Sequence, residues 1–346
     1  MTKKSGSSKS TLAPTLEQIR QLAWTGQHAA AIDSATGALT TLGKGDSRVA
    51  PTMMSLLDLR AESYVAIGKL DLAMKDAKAM GKIAKSVGAG SSRPTLQVQA
   101  LNRLALVQMR TGDLKAAVKS ATTAVKTKHN STALRAESLY RLAEAQFRAR
   151  QSEAAVKTAQ NAIALYQELG DLSGAGRAHW ALATGYFNSG NAKDSRSAAF
   201  TALELCQQAG DQYGIGNAFN ILTFSDTDLV EDMQHVQQAL QAFETAGYIE
   251  RQSAVTGNLS NVYGELGLYP HARRLYGEAL DFSRRIGAKI ALSVHLSNLM
   301  TTELVLGLAE SAFSHLAEYT QVVTALGDPF ANSTLATTSA ELALAK

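Results

Sequence analysis

The sequence predicts an all-α solenoid of stacked helical hairpins, and three observations carry that prediction. A closing phrase that ends in glycine recurs about every 40 residues, a second glycine series falls inside each block, and the composition suits close-packed helices. Hydrophobic residues make up 45% of the 346, alanine is abundant, aromatics are 6% and there are only 5 prolines. That apolar fraction fills a core, and a charged fraction of 18% argues against disorder over most of the chain.

Taken in order, residues 1–14 read as a disordered tail, with Lys3, Lys4 and Lys9 among serines and no apolar segment behind them. Residues 15–327 read as eight hairpins, at 15–43, 51–86, 95–128, 131–170, 171–210, 211–247, 248–287 and 288–327. Residues 328–346 read as the first helix of an incomplete ninth. The connections Gly43–Ser47 and Gly88–Pro94 are rich in Gly and Ser, so the first units are expected to be looser than the rest.

The closing phrases end at Gly170, Gly210, Gly247, Gly287 and Gly327, at intervals of 40, 37, 40 and 40 residues. A glycine there takes the left-handed conformation that ends a helix, and Asp171, Asp211 and Asp328 beside it begin or cap the next one. The inner series is Gly26, Gly68, Gly112, Gly190, Gly267 and Gly307, with Arg150 standing where the fourth glycine would be. It marks the turn within each hairpin. The sixth unit lacks this glycine and carries Ser225–Asp232 instead, an acidic run that suits a helix N-terminus.

The fullest copy runs Leu259, Ser260, Tyr263, Gly267, Ala272, Tyr276, Ala279. Partial copies are Leu182, Ala183, Tyr186 and Gly190; Leu104, Ala105, Gly112, Ala117 and Ala124; and Ala61, Tyr64, Gly68 and Ala73. In this order of Leu, small residue, Tyr, Gly, Ala, aromatic and Ala, the chain resembles tetratricopeptide-repeat proteins of the long, roughly 40-residue form. Gly257–Gly267 is especially similar to the repeats of spindle-orientation adaptors, kinesin light chains and bacterial signalling regulators. The departures are Arg150, the glutamines Gln108 and Gln146 in place of Tyr, and the shortened sixth unit. The resemblance implies a right-handed solenoid whose first helices line a concave groove that holds a peptide or a partner's helix.

Counting back from each turn glycine brings a polar series into register on the first helices: Arg103, Arg141, Asn217, Asn258 and Asn298, with Asn220 and Asn261 one helical turn further along. An interior asparagine costs helix propensity, and its amide both donates to and accepts from an extended backbone, so a ladder of them suits peptide holding. Arg177 and His179 extend the candidate lining. The alternative for each is bonding between helices, or exposure to water.

The remaining chemistry points away from an enzyme. Gly174-Ala175-Gly176 and Gly214-Ile215-Gly216 follow no strand and fall at equivalent points of two repeats, so they mark helix starts rather than phosphate loops. The seven histidines are scattered without metal-ligand spacing, and Cys206 is the single cysteine, set as a small packing residue. No cofactor or metal is expected. A net charge of +4, with both signs interleaved, gives no support to nucleic acid binding, and no stretch approaches a membrane span. The expected protein is cytoplasmic and partners a protein or peptide, as the N-terminal sensing part of a larger bacterial signalling protein with a cyclase, diguanylate cyclase or kinase output domain. The alternatives are a scaffold that forms homo-oligomers through its terminal repeats, and a repeat sensor regulated by a small molecule.

Overall fold

The structure is a computed structural model that describes residues 8–42, 49–88, 90, 92–224, 228–327 and 329–344. The described residues form seventeen α-helices and no strand. The first three pairs are α1 (Ser8–Trp24) with α2 (His28–Thr41), α3 (Ala50–Ala66) with α4 (Leu70–Ser86), and α5 (Ser92–Thr111) with α6 (Leu114–Lys126). Next come α7 (Thr132–Arg148) with α8 (Ser152–Leu169), α9 (Leu172–Asn188) with α10 (Ala192–Ala209), and α11 (Gln212–Leu222) with α12 (Leu229–Thr245). The last are α13 (Ile249–Glu265) with α14 (Tyr269–Ile286), α15 (Lys289–Val305) with α16 (Ala309–Leu326), and the single helix α17 (Pro329–Leu344). Thus the all-α array of eight hairpins and a partial ninth is present. Helix α1 begins at Ser8, inside the segment expected to be a disordered tail, and residues 1–7 lie outside the described residues. Among the described residues no helix is long and apolar enough to cross a membrane.

Both glycine series do what their spacing implies. All eleven take positive φ, between 62° and 86°, and Arg150 takes φ 60°, the one non-glycine residue described that does so. The carboxylates of Asp171 and Asp211 cap their helices by accepting from the amides of Gly174 (2.8 Å) and Gly214 (3.1 Å). Asp228 caps α12 through the amide of Val230 (2.8 Å), while Ser225–Thr227 and Asp328 lie outside the described residues. The Gly-x-Gly phrases are packing devices as well as helix starts. Cys206 is fully buried against Gly176 and Gly214, and a Cβ on Gly216 would stand 2.8 Å from the Phe243 ring.

Successive odd-numbered helices touch one another, whereas even-numbered helices pack on odd ones and have little mutual contact. The odd helices are therefore the inner, tighter layer and the even helices the outer, splayed one. Alanines at the crossings permit this closeness; the largest core joins α7 to α12 around Ala143, Ala159, Ala181, Ala199 and Trp180.

The curvature completes a turn in five hairpins. A Cβ on Gly26, between α1 and α2, would stand 2.5 Å from the carbonyl oxygen of Thr245, and Gly247 lies against the backbone of Gly26 in return. Gly68 meets the side chain of Ile286, and a Cβ on Gly112 would stand 3.2 Å from Leu326. The hairpin turns of the first three units thus sit on the closing phrases of the sixth, seventh and eighth. His28 clasps the first of these contacts: its Nε2 donates to the Ala246 carbonyl (2.9 Å), its Nδ1 pairs with Ser63 Oγ (3.3 Å), and its ring meets Tyr248 edge-on at 5.1 Å.

Two outcomes test this description. Arg150→Gly relieves a left-handed side-chain residue and raises stability in denaturant titrations, whereas Gly190→Ala, with open space around it, lowers stability by about 1 kcal/mol. Burial lowers the pKa of His295 to about 4, against about 6.5 for free imidazole, although the Ala279 carbonyl works to raise it. Because the folded value lies below the unfolded one, this neutral histidine contributes its full stability above about pH 6.5 and loses it as pH falls toward about 4. The thermal midpoint should drop over that window, and drop less in His295→Gln.

Candidate functional site in the axial cleft

Where the two turns meet, side chains far apart in sequence converge on the solenoid axis. Arg103 on α5 donates from Nε to Asp58 (2.7 Å) and from Nη2 to Glu62 (3.0 Å) on α3, and the Tyr248 hydroxyl donates to the other oxygen of Glu62 (3.2 Å). Burial alone would raise the Glu62 carboxyl, but the Arg103, Arg141 and Arg177 guanidiniums outweigh it and hold it at about 2. Glu144 on α7, 0% exposed, is the hub of a second cluster. It accepts from Arg110 (2.9 Å) and Arg148 (3.1 Å) and pairs with Arg141 at 3.4 Å. Burial works to raise its carboxyl too, and the three guanidiniums reverse that and hold it far below the carboxylate range. Arg110 reaches across the axis, donating to the Tyr213 hydroxyl (3.0 Å) and lying 3.5 Å from Glu250. Arg177 on α9 donates through Nε (2.6 Å) and Nη2 (2.8 Å) to both oxygens of Asp211, with its guanidinium 5.1 Å over the Tyr213 ring. Asp211 thus caps α11 and anchors a guanidinium at once.

This ionic core floors an open cleft of about 440 Å³, walled by α1 and α3 on one side and by α9, α11 and the turn before α13 on the other. Glu62, Arg177, Asp211, Tyr213 and Tyr248 line it, and Glu17, Arg20 and Trp24 form its rim. Trp24 is 46% exposed there.

The structure treats the predicted lining unevenly. Arg177 reaches the cleft. Arg103 and Arg141 are buried and committed to carboxylates, and Asn217, 0% exposed, accepts from Arg251 at 2.5 Å, so these three are not open to a partner. A desolvated guanidinium needs a counter-charge, and the inner layer is tight enough to supply one. The other asparagines bond in pairs across neighbouring inner helices and remain half-buried. Asn258 donates to Asn220 (2.7 Å) and Asn298 to Asn261 (3.1 Å), which also accepts from Tyr276. His179 is half-buried with Nδ1 unpartnered, and burial lowers its pKa. The ladder is therefore bonded to itself rather than free along its length. Glu62, Tyr213 and Tyr248 escaped the sequence reading because their roles depend on which hairpins meet across the axis, and Asp211 was read as a cap but not as the anchor of Arg177.

No family model matches the chain, and no curated protein matches it. Among solved structures it is similar to a Rap protein complexed with competence and sporulation factor, at 14% identity and a TM-score of 0.62, covering 97% of this chain and 99% of that one. It is also similar to the apo form of RapI, at 12% identity and 0.52, covering 97% of each. A third is a signal-transduction ATPase with numerous domains and a tetratricopeptide-repeat sensor, from Pyrococcus horikoshii, at 13% identity and 0.51, covering 90% of this chain and 49% of that one. At these identities the likeness is one of fold. The fold is that of a tetratricopeptide-type repeat array.

Glu144→Ala leaves three guanidiniums without their shared counter-charge and should cost about 3–5 kcal/mol in denaturant unfolding. Glu144→Gln, which keeps the volume and two polar atoms, should cost less.

Proposed function

We propose that this chain is a protein-interaction module that holds a peptide or helical segment of a partner at the axial cleft. The carrying observation is that one open cleft gathers charged and aromatic side chains from five helices and two turns of the solenoid. Arg177 and Glu62 offer charges of both signs, Tyr213, Tyr248 and Trp24 offer flat apolar faces, and the half-buried Asn220, Asn258, Asn261 and Asn298 supply amides elsewhere on the inner helices. A segment bound there touches both turns, so its binding free energy is available to hold them together. The Rap structure complexed with competence and sporulation factor, and the ATPase with a repeat sensor, support a role in recognition. In this reading the array senses or recruits, as part of a larger bacterial signalling protein whose chemistry lies in another domain.

Panning a displayed random-peptide library against the full chain tests it. Enriched peptides should bind with affinities that fall at least about tenfold in Arg177→Ala and in Tyr248→Ala, each removing a cleft contact worth about 1.4 kcal/mol or more. Library enrichment that never exceeds background, or affinities indifferent to both substitutions, would count against the cleft.

A further inference from the structure

The outer layer carries a surface that the cleft does not use. Of the 34 Lys and Arg residues, 23 precede residue 151, against 10 of the 30 Asp and Glu residues. Between Asp76 and Glu137 the one acid is Asp113, whose carboxylate is occupied in capping α6 through the Ala116 amide (3.1 Å). The sequence average conceals how these charges are placed. On α4, Lys75, Lys78, Lys82 and Lys85 fall on one stripe opposite the buried Ala73, Ala77, Met80 and Ala84. On α6, Lys115, Lys119 and Lys126 stand opposite the buried Ala117, Ala121 and Ala124. All seven lysines are exposed, and none has an ion-pair partner among the described residues. Asp76 is turned inward to Arg60 (2.7 Å), which leaves Asp71 as the acid on the α4 stripe. Both helices pack on α5, so the two stripes lie side by side on the outer face of the second and third hairpins.

We propose that this face binds the phosphate backbone of double-stranded nucleic acid, without reading its sequence. The chemistry of the stripe selects that partner. A protein interface is built on aromatic, Met and Arg anchors and is poor in lysine, yet among the described residues no large hydrophobic side chain is exposed between Trp24 and Leu169. The same lack removes the apolar contacts by which a helix surface seats itself in a membrane interface. Single strands are held by stacking on aromatic rings, and neither stripe has one. A duplex requires none of these. It presents one charge per roughly 1.7 Å of axis, dense enough to engage both rows at once, and lysines that meet phosphates as point charges release its counterions. The interleaving that set nucleic acid aside at the level of sequence holds for the whole chain and fails for these two helices.

Fluorescence anisotropy with the full chain and labelled duplexes of two unrelated sequences tests the proposal. Binding should be equal for the two sequences at about 50 mM salt and should weaken by roughly 10²-fold or more at about 200 mM. The variant K78Q/K82Q/K119Q/K126Q should lose at least about tenfold in affinity at the lower salt and lower the salt slope by about four. Its circular dichroism and melting should match the parent, since all four side chains are exposed. Absence of duplex binding at the lower salt, a quadruple variant that binds like the parent, or lysine-dependent capture by phosphatidylserine vesicles or polyglutamate without capture by duplex would each overturn it.

Discussion

The rest of the structure depends on how closely the turn at Gly26 approaches the turn at Gly247. There the backbones of the first and sixth hairpins touch, with no room for a Cβ on either side, and every five-hairpin return of the solenoid begins from that contact. If the two turns stood even one methyl group further apart, His28 would lose the Ala246 carbonyl and Tyr248 would lose Glu62. A solenoid is ordinarily a sum of nearest-neighbour interfaces. Here the return adds long-range contacts to that sum, joining residues about as far apart in sequence as Glu62 and Tyr248.

The return also explains the ionic interior. An open groove leaves its charged residues in water, where a lone Arg costs little. Closing the turn removes water, so a buried guanidinium needs an acceptor in place, most often a carboxylate. Arg103 with Asp58 and Glu62, Arg177 with Asp211, and Arg110 with Glu144 satisfy that demand between neighbouring repeats, while Arg141 and Arg148 pair with Glu144 on their own helix. Such pairs stabilise little beyond what their desolvation costs. The polar contacts that join opposite hairpins are those of Arg110 with Tyr213 and Glu250 and of Tyr248 with Glu62. What stays open is the cleft between α1 and α11, walled by both turns. The outer lysine stripes on α4 and α6 belong to a separate surface, so the inner and outer layers present chemically different faces.

Much of this was legible in the residues. The two glycine series marked eleven of the turns, and Arg150 stood where a turn glycine was due, a place to which the structure gives left-handed backbone. The closing aspartates announced their caps, and Cys206 its place as a small packing residue, though not that glycines would receive it. Repeat periodicity reports local geometry, and all of these are local. The inward polar series was legible as inward and polar, but not as bonded: Asn258 and Asn298 each find an asparagine on the neighbouring inner helix, and Asn217 finds Arg251. That the inner glycines of the first three hairpins meet the closing phrases of the last three depends on superhelical pitch. Pitch accumulates from small rotations at each alanine-rich crossing and leaves no mark at any one position.

The return of the chain onto itself is open to direct measurement. Spin labels at Thr25 and Thr245, both exposed and each beside one of the touching turns, in a Cys206→Ser background, report the gap between the first and sixth hairpins. The closed solenoid predicts strong dipolar coupling from one short distance in all molecules. Labels that are uncoupled, or that give a broad range of long distances, would contradict it.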